Sequence, residues 1–402
     1  MARLILDAMG GDHAPAANLE GAMHALPELL AISKADDPLE LILIGDETIL
    51  NQALSKRRLR PLRQAIEQSR EARIKTVRII HASETIEMND SIRAVRSKPR
   101  ASINLGCKLA SDDWKAGKPS AFISAGHSGA MMASALLNMG RLPGAERPAI
   151  AVKLPTLSPD GCVVLDVGAN VDCKPEHLRD FAIMGALFAQ AERHSKDLPR
   201  VGVLSNGEER SKGNELTRAA ADLLDRCVAL NPTVSGPGAQ AVGRFIGYSE
   251  GKELFKGQVD VVVTDGFVGN LVLKSVEGLG SAVVQILKRE AKRNPMNTIG
   301  FLFAANAFRS LKKKLDYAEY GAAPLLGVAG YAMICHGRSN AKAIKNALLR
   351  THTALLSRFV ERMAEALRAS SHQDLAQNGA AQGSIAASTH STALTHAQEK
   401  IK

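Results

Sequence analysis

The sequence predicts an α/β fold with a mainly parallel sheet. Three observations carry that expectation. Short aliphatic runs alternate with longer amphipathic segments. Nearly every run stops on a polar turn, as at Asp7, Ser124-Ala125-Gly126-His127, Asp166, Ser205-Asn206-Gly207, Asp265-Gly266 and His336-Gly337. Aromatic residues make up only 4% of the 402, so the core must be aliphatic. In such sheets ligands gather at the carboxyl ends of strands, and the repetition of polar strand ends marks a site more strongly than any one of them.

Residues 2–7 read as a strand that runs into LDAMGGDHAP (6–15). Asn18 to Leu30 reads as a helix, with Leu19, Ala22, Met23 and Leu26 near a 3.6-residue period. LELILIG (39–45) is a second strand, and the arginine-dense stretch 51–69 is helix or surface with a solvated charged face. VRII (77–80) is a short strand; the acidic, helix-opening segment SETIEMNDSIRAVRSK and a helix over 101–116 follow. AFIS (121–124) is a strand, AGHSG a loop, and Met131 to Met139 a helix. The surrounding stretch 120–140 is nearly uncharged, but it holds Ser, Gly and His where a membrane span holds Leu and Ile. Strands are expected at 149–155 and 162–173, a helix at 178–192, a strand at 201–207 and a helix at 214–229. Residues 259–270 pass from strand through loop to helix, and 271–294 are helical. Asn294-Pro295 breaks the chain before a second helix, about 298–315, and 320–350 supply a last strand, a loop and a long helix. One domain is therefore expected over 1–350, with a basic helical hairpin at about 285–315, a C-terminal helix at 351–368 and a disordered tail at 369–402. The tail is too poor in large apolar groups to bury much area.

The formal charge of +10 and pI near 9.4 favour an anionic partner: nucleic acid, an anionic membrane, a phosphorylated substrate or an acidic carrier protein. No nucleic-acid module or aromatic platform is visible, which argues against nucleic acid. Five scattered cysteines without CxxC spacing read as reduced thiols. Asp7 interrupts the first apolar run, so no secretory signal is expected, and a cytoplasmic location is.

Gly10 and Gly11 permit a tight turn and close approach of backbone to a ligand, placing Asp7, Asp12 and His13 at a pocket wall. His13 serves either the pocket or the turn. The stretch lacks the GxGxxG of a dinucleotide site. In SAGHSGA (124–130), a loop entering a helix, His127, Ser128 and Gly129 form a candidate anion cradle. Asp166, Asn170 and Asp172 lie in LDVGANVDC; no histidine completes a metal set, and orienting hydrogen bonds are the favoured reading. Lys212 is a phosphate neutraliser or a solvated lysine, and Asn214 a helix cap. TDGFVGN (264–270) repeats the strand–acid–glycine design with Asp265, Gly266 and Asn270; Phe267 is core or the wall of an apolar site. The hairpin carries Lys288, Arg289, Lys292, Arg293, Arg309, Lys312, Lys313 and Lys314 against one acid, Glu290, with Phe301 and Phe308 on its apolar stripe. It reads as a membrane-surface element or as a docking face for a partner subunit or the domain body.

LDAMGGDHAP, MNDSIRAVR, SAGHSGA, LDVGANVDC, GEERSKGNEL, DVVVTDGFVGN, LDYAEYGAAPLLG and HGRSNAKA follow one another through residues 2–350. In this the chain closely resembles the bacterial phosphate acyltransferase family. The resemblance implies a three-layer α/β/α core, related to phosphotransacetylases and isocitrate-type dehydrogenases, and a homodimer without cofactor or metal. It also implies transfer of a fatty acyl group from acyl-carrier protein to inorganic phosphate, giving acyl-phosphate for phospholipid synthesis by a downstream membrane glycerol-3-phosphate acyltransferase. Peripheral association with an anionic membrane through Phe301, Phe308, Lys312 and Lys313 would suit that product. On this resemblance His13 and Lys212 are expected to take part in the chemistry, with Asp265 orienting; Ser128, Gly129, Asn170 and Asn214 are the phosphate-site choices. The chain departs from the family's usual SAGNTGA at His127 and Ser128. A coenzyme A-dependent phosphotransacylase is the second reading, a metal-dependent 2-hydroxy-acid dehydrogenase the third, and a non-catalytic membrane scaffold the alternative outside enzymes.

Overall fold

Side-chain alternation in the first two strands sets up the layers. In β1 (Ala2–Asp7) Leu4 and Leu6 face one side and Ile5 the other; in β2 (Leu39–Gly45) Leu41 and Leu43 join the first side, Ile42 and Ile44 the second. The leucine side packs against helices Ala16–Ile32 and Ala341–Ser357 through Leu19, Leu29, Ile344 and Leu348. The isoleucine side packs against helices Ser102–Lys115 and Ser128–Asn138 through Ile103, Cys107, Met131 and Ala135. With both faces covered, β2 is buried along its whole length, as a strand inside a parallel sheet must be. Its one acid, Glu40, is fully buried and takes Arg3 at 2.6 Å and Arg78 at 2.5 Å, the pairing a buried charge requires.

The computed structural model describes residues 2–33, 38–71, 76–193, 195–233, 241–315 and 317–370. Nine further strands complete the sheet: β3 (Val77–His81), β4 (Ser120–Ser124), β5 (Ala149–Leu154), β6 (Cys162–Leu165), β7 (Arg200–Leu204), β8 (Arg244–Ser249), β9 (Val261–Val263), β10 (Ala322–Leu326) and β11 (Tyr331–Cys335). Their order is β3-β2-β1-β4-β11-β10-β5-β6-β9-β7-β8. Strands β3, β2, β1, β4 and β11 are mutually parallel, as are β6, β9, β7 and β8. The junctions β11–β10, β10–β5 and β5–β6 are antiparallel. The second half therefore runs opposite to the first across this seam, and the polar strand ends fall into two sets. Helices flank the sheet on both faces, giving the mainly parallel three-layer α/β/α architecture.

Four local differences from the sequence reading have physical causes. β8 escapes notice because Gly247, at φ 94°, interrupts its pattern where the β7–β8 register shifts. The expected single strand after residue 320 is a pair, β10 and β11, since Gly327 and Gly330 supply positive φ for the connection. The helix expected at 298–315 breaks at Ala304 into Pro295–Phe303 and Ala305–Leu315. The C-terminal helix is interrupted at Arg358, φ 51°, and resumes over 359–370; the expected tail lies almost wholly outside the described residues. The long helix Gly266–Ala291 buries only Gly266 and Gly269. Its length and composition would also suit a membrane span, with a mean hydropathy of 1.3 over its most apolar window.

Close approach explains one small residue in the core. A Cβ on Gly106 would stand 2.0 Å from Cε2 of the fully buried Phe122. Gly106 thus lets the Ser102–Lys115 helix settle onto the β4 ring. Phe122→Ala is expected to cost about 3–5 kcal/mol, read as a lower urea midpoint at unchanged slope. Gly106→Ala should destabilise the parent yet be tolerated, or favourable, in the Phe122→Ala background; strictly additive effects would contradict the contact.

Candidate functional site

The first set of strand ends is organised by a buried acid. Asp7, at the end of β1, is 2% exposed. It accepts hydrogen bonds from Ser124 Oγ at 2.7 Å and from the Met9 N–H at 3.1 Å. Ser124 Oγ accepts in turn from the Gly126 N–H at 3.0 Å. Burial pushes the Asp7 carboxyl above the ordinary carboxylate value, and hydrogen bonds from Ser124, Ser102 and the N–H groups of Met9 and Gly10 pull it back. A Cβ on Gly10 would fall 2.6 Å from Asp7 Oδ2 and 2.7 Å from Gly126 N, so only glycine fits. The Asp12 N–H donates to Gly337 O at 2.8 Å. The turns after β1, β4 and β11 are thereby tied together.

Sequence reasoning missed Asn18 here. Its amide nitrogen stands 3.2, 3.1 and 2.9 Å from the carbonyl oxygens of Asp7, Ala8 and Gly10. The residue is 2% exposed, so a single buried amide gathers the whole turn. The available signal was a polar residue on the apolar face at the start of an amphipathic helix. Asp12 and His13 are exposed on the rim. A cleft of about 400 Å³ opens there, bounded by Met9, Gly11 and Asp12 on one side and Thr85 and Met88 on the other.

His127 caps the helix Ser128–Asn138: its Nδ1 accepts from the Ala130 N–H at 3.1 Å. The imidazole acts here as an acceptor, the role that Asn and Asp side chains commonly fill at this position. The Met131 N–H goes to His127 O. Of the four N–H groups that a helix start leaves without intrahelical acceptors, those of Ser128 and Gly129 have no acceptor among the described residues. Ser128 itself is exposed.

The second set lies in the other half of the sheet. Asp166 is fully buried and accepts from the N–H groups of Ile150, Gly168, Ala169 and Asn170 and from the Asn170 amide. Burial raises its carboxyl, with those donors opposing. Asn170 spends its amide on Pro148 O at 2.7 Å and on Asp166 at 2.9 Å, and the Gly266 N–H donates to Asn170 O at 2.7 Å. Asp265 caps the long helix through the Val268 N–H at 2.8 Å, and Asn270 is exposed beside Gly168. Asp172 is exposed and takes no part. Cys173 sits here too, its thiol pushed up to about 12 by burial and by Asp166 and Asp265. The Lys212 N–H donates to Glu209 O at 2.9 Å while its exposed side chain has no hydrogen bond or ion pair among the described residues, and Asn214 caps helix Glu215–Arg226 through the Thr217 N–H at 2.9 Å. In the hairpin, Phe301 and Phe308 stack on each other, ring centroids 4.4 Å apart, and are half-buried. The exposed apolar tip is instead Met296, Leu302 and Phe303. The side chains of Lys312 and Lys313 lie outside the described residues.

A glycine turn braced on a buried carboxylate, beside a helix start with unclaimed N–H groups, places this chain among α/β proteins whose polar turns gather at strand ends. The family model described as "Fatty acid synthesis protein" matches residues 2–362. The phosphate acyltransferase of Trichlorobacter lovleyi is 45% identical over 368 residues, 91% of this chain and 94% of that protein. That of Myxococcus xanthus is 45% identical over 350 residues, 86% and 88% of the two chains. Among solved structures, the EutD phosphotransacetylase from Staphylococcus aureus aligns over 89% of this chain and 94% of its own, at 15% identity and a TM-score of 0.48. The chain belongs to the phosphate acyltransferase family. It is an enzyme of acyl transfer to phosphate in phospholipid synthesis.

The raised Asp7 carboxyl sets a sign for stability. A carboxyl whose folded value exceeds its unfolded value stabilises the fold fully below the unfolded value and loses that contribution as pH rises through the folded one. Asp7→Asn stays neutral throughout. Its stability relative to the parent should therefore improve as pH rises from about 4 to 8, followed by urea denaturation; a difference independent of pH would contradict the assignment.

Proposed function

We infer that inorganic phosphate binds where the Gly10–Gly11 turn meets the start of helix Ser128–Asn138 and attacks the thioester carbonyl of acyl-carrier protein there. The observation that carries this reading is the pair of unclaimed N–H groups at Ser128 and Gly129, next to a turn that excludes any side chain at Gly10. Phosphate brings its own nucleophilic oxygen, so no seryl nucleophile is needed. Its oxygen bonds to the carbonyl carbon, the carbonyl oxygen becomes an oxyanion, and collapse breaks the carbon–sulfur bond. The thiolate takes a proton, and acyl-phosphate leaves. The protein must fix the anion, stabilise the oxyanion and supply that proton. His13, exposed on the rim, is assigned the proton; Asp7, whose oxygens are already engaged, braces the turns without touching substrate. Lys212 and Asp265 stand on the other half of the sheet, with Lys212 free to reach an anion and Asp265 fixing a helix start.

Acyl-phosphate formation from inorganic phosphate and long-chain acyl-carrier protein, at saturating phosphate, tests the assignment. His13→Ala and Lys212→Ala should each lower turnover by roughly a hundredfold, the scale of losing one transition-state partner. Near-parental turnover in both would remove them from the mechanism.

The product is an amphiphile destined for a membrane enzyme, and the hairpin offers a basic, apolar tip. We read this as peripheral contact with anionic lipid. Membrane contact falls to Met296, Leu302 and Phe303, while the Phe301–Phe308 stack holds the two short helices together. The exposed flank of Gly266–Ala291, with Leu271, Leu279 and Ile286, is left for a second copy of the chain. Flotation with phosphatidylglycerol vesicles should fall in Leu302→Ser/Phe303→Ser with the fold intact; unchanged flotation would assign the tip to protein contact.

A further inference from the structure

Between β3 and helix Ser102–Lys115 the chain crosses the carboxyl edge of the first half of the sheet, and its charges are sorted there. Lys98 Nζ donates to Thr85 O at 2.9 Å and to Asp90 Oδ2 at 2.6 Å. Asp90 also accepts from the Glu87 N–H at 2.8 Å, and Glu84 from the Arg100 N–H at 2.7 Å. These bonds fold the segment into a fixed clip and engage Asp90 and Glu84, while Glu87, exposed at the cleft, is its one acid whose carboxylate has no partner among the described residues. Ala94 and Val95 are buried, and their short helix packs on Ser128–Asn138. Arg93, Arg96 and Arg100 are left exposed, and none of the three forms an ion pair among the described residues. Of the arginines before β3, Arg58 pairs with Glu20 and Arg63 with Glu67, while Arg57 and Arg60 are exposed without an ion pair among the described residues.

The same clip borders the proposed phosphate site. Met88 lines the cleft opposite Gly11 and Asp12. The Cδ1 atom of Ile92 lies 3.2 Å from where a Cβ on Gly129 would be. Both side chains are substantially exposed, at 42% and 52%. Three unpaired arginines therefore flank two apolar side chains at the mouth of the reaction cleft. We propose that the face formed by Arg93, Arg96 and Arg100 with Ile92 and Met88 is the docking surface for an acidic acyl carrier protein. The arginines would meet its carboxylates, and its thioester-bearing arm would enter between Met88 and Asp12. Unpaired surface cations steer and hold an acidic partner without entering the chemistry. The inference rests on the reading that acyl-carrier protein is the donor.

The test compares two donors of equal chain length, acyl-carrier protein and a carrier-free acyl-pantetheine thioester, on the full chain. Arg93→Glu/Arg96→Glu/Arg100→Glu should raise KM for the carrier at least about tenfold at low salt, leaving kcat and the phosphate KM unchanged. Turnover of the carrier-free thioester should not change, which also shows that the variant is folded. The parental KM for the carrier should rise with salt and the variant's should not. Arg93→Gln/Arg100→Gln should give an intermediate shift. An unchanged carrier KM, or equal losses with both donors, would overturn the docking surface. A parent enzyme inactive with carrier yet active with the free thioester would overturn the underlying reading of the donor instead.

Discussion

The Asp7 carboxylate is the constraint on which the site depends. It is buried, at the end of a central strand, and surrounded by groups that donate to it. A buried carboxyl is tolerated only when its oxygens are satisfied, and the groups that satisfy it are the turns themselves. Ser124 ties in the β4 turn, and the backbone of Met9 and Gly10 ties in its own. Asn18 then gathers the outward carbonyls from the helix that follows. The result is a pocket wall made of backbone, rigid because its polar atoms have few alternatives. Asp166 repeats the device in the other half, with backbone N–H donors from 150 and from the turn that follows it.

Much of this was legible in the sequence, and the exceptions are instructive. Aliphatic runs ending on Asp or Ser with glycine read directly as strands feeding functional turns, because period-two burial and turn chemistry are local properties. The capping role of Asn214 followed from position alone, whereas that of Asp265 emerged only in the fold. Partnership could not be read in the same way. Asp7 looks like a pocket group in a sequence, and it takes the fold to show its oxygens spent on Ser124 and the Met9 N–H; Asp166, read as an orienting group, spends its own on the turn that follows it. Asn170 looks like an open amide, yet Pro148 claims it from another strand. Phe301 and Phe308 lie on one helical stripe if the helix is continuous. The break at Ala304 folds that stripe on itself and turns Leu302 and Phe303 outward instead.

The direction of the strands was also hidden. Every polar strand end looks equivalent along the chain, and a purely parallel sheet would bring them all to one edge. The antiparallel seam at β10 and β5 sorts them into two sets, and only long-range pairing determines that. The histidine at position 127 is a similar case. The sequence shows a departure from the family's asparagine. The structure shows the ring nitrogen filling the place of a capping oxygen, so the departure preserves the helix start on which the proposed anion cradle depends.

The order of the strands bears on how the molecule is made. β11 slots between β4 and β10, and the helix Ala341–Ser357 covers β1 from one side. Both come from the last fifth of the described chain, after the entire second half has been synthesised. The first half, though encoded first, cannot close its sheet until β11 has left the ribosome, after all of β5 to β9. The second half, from β5 through β9, is local in sequence and can assemble early. Synthesis thus leaves β4 with an open edge until β11 emerges about 200 residues later, the condition in which strands are vulnerable to pairing with the wrong chain.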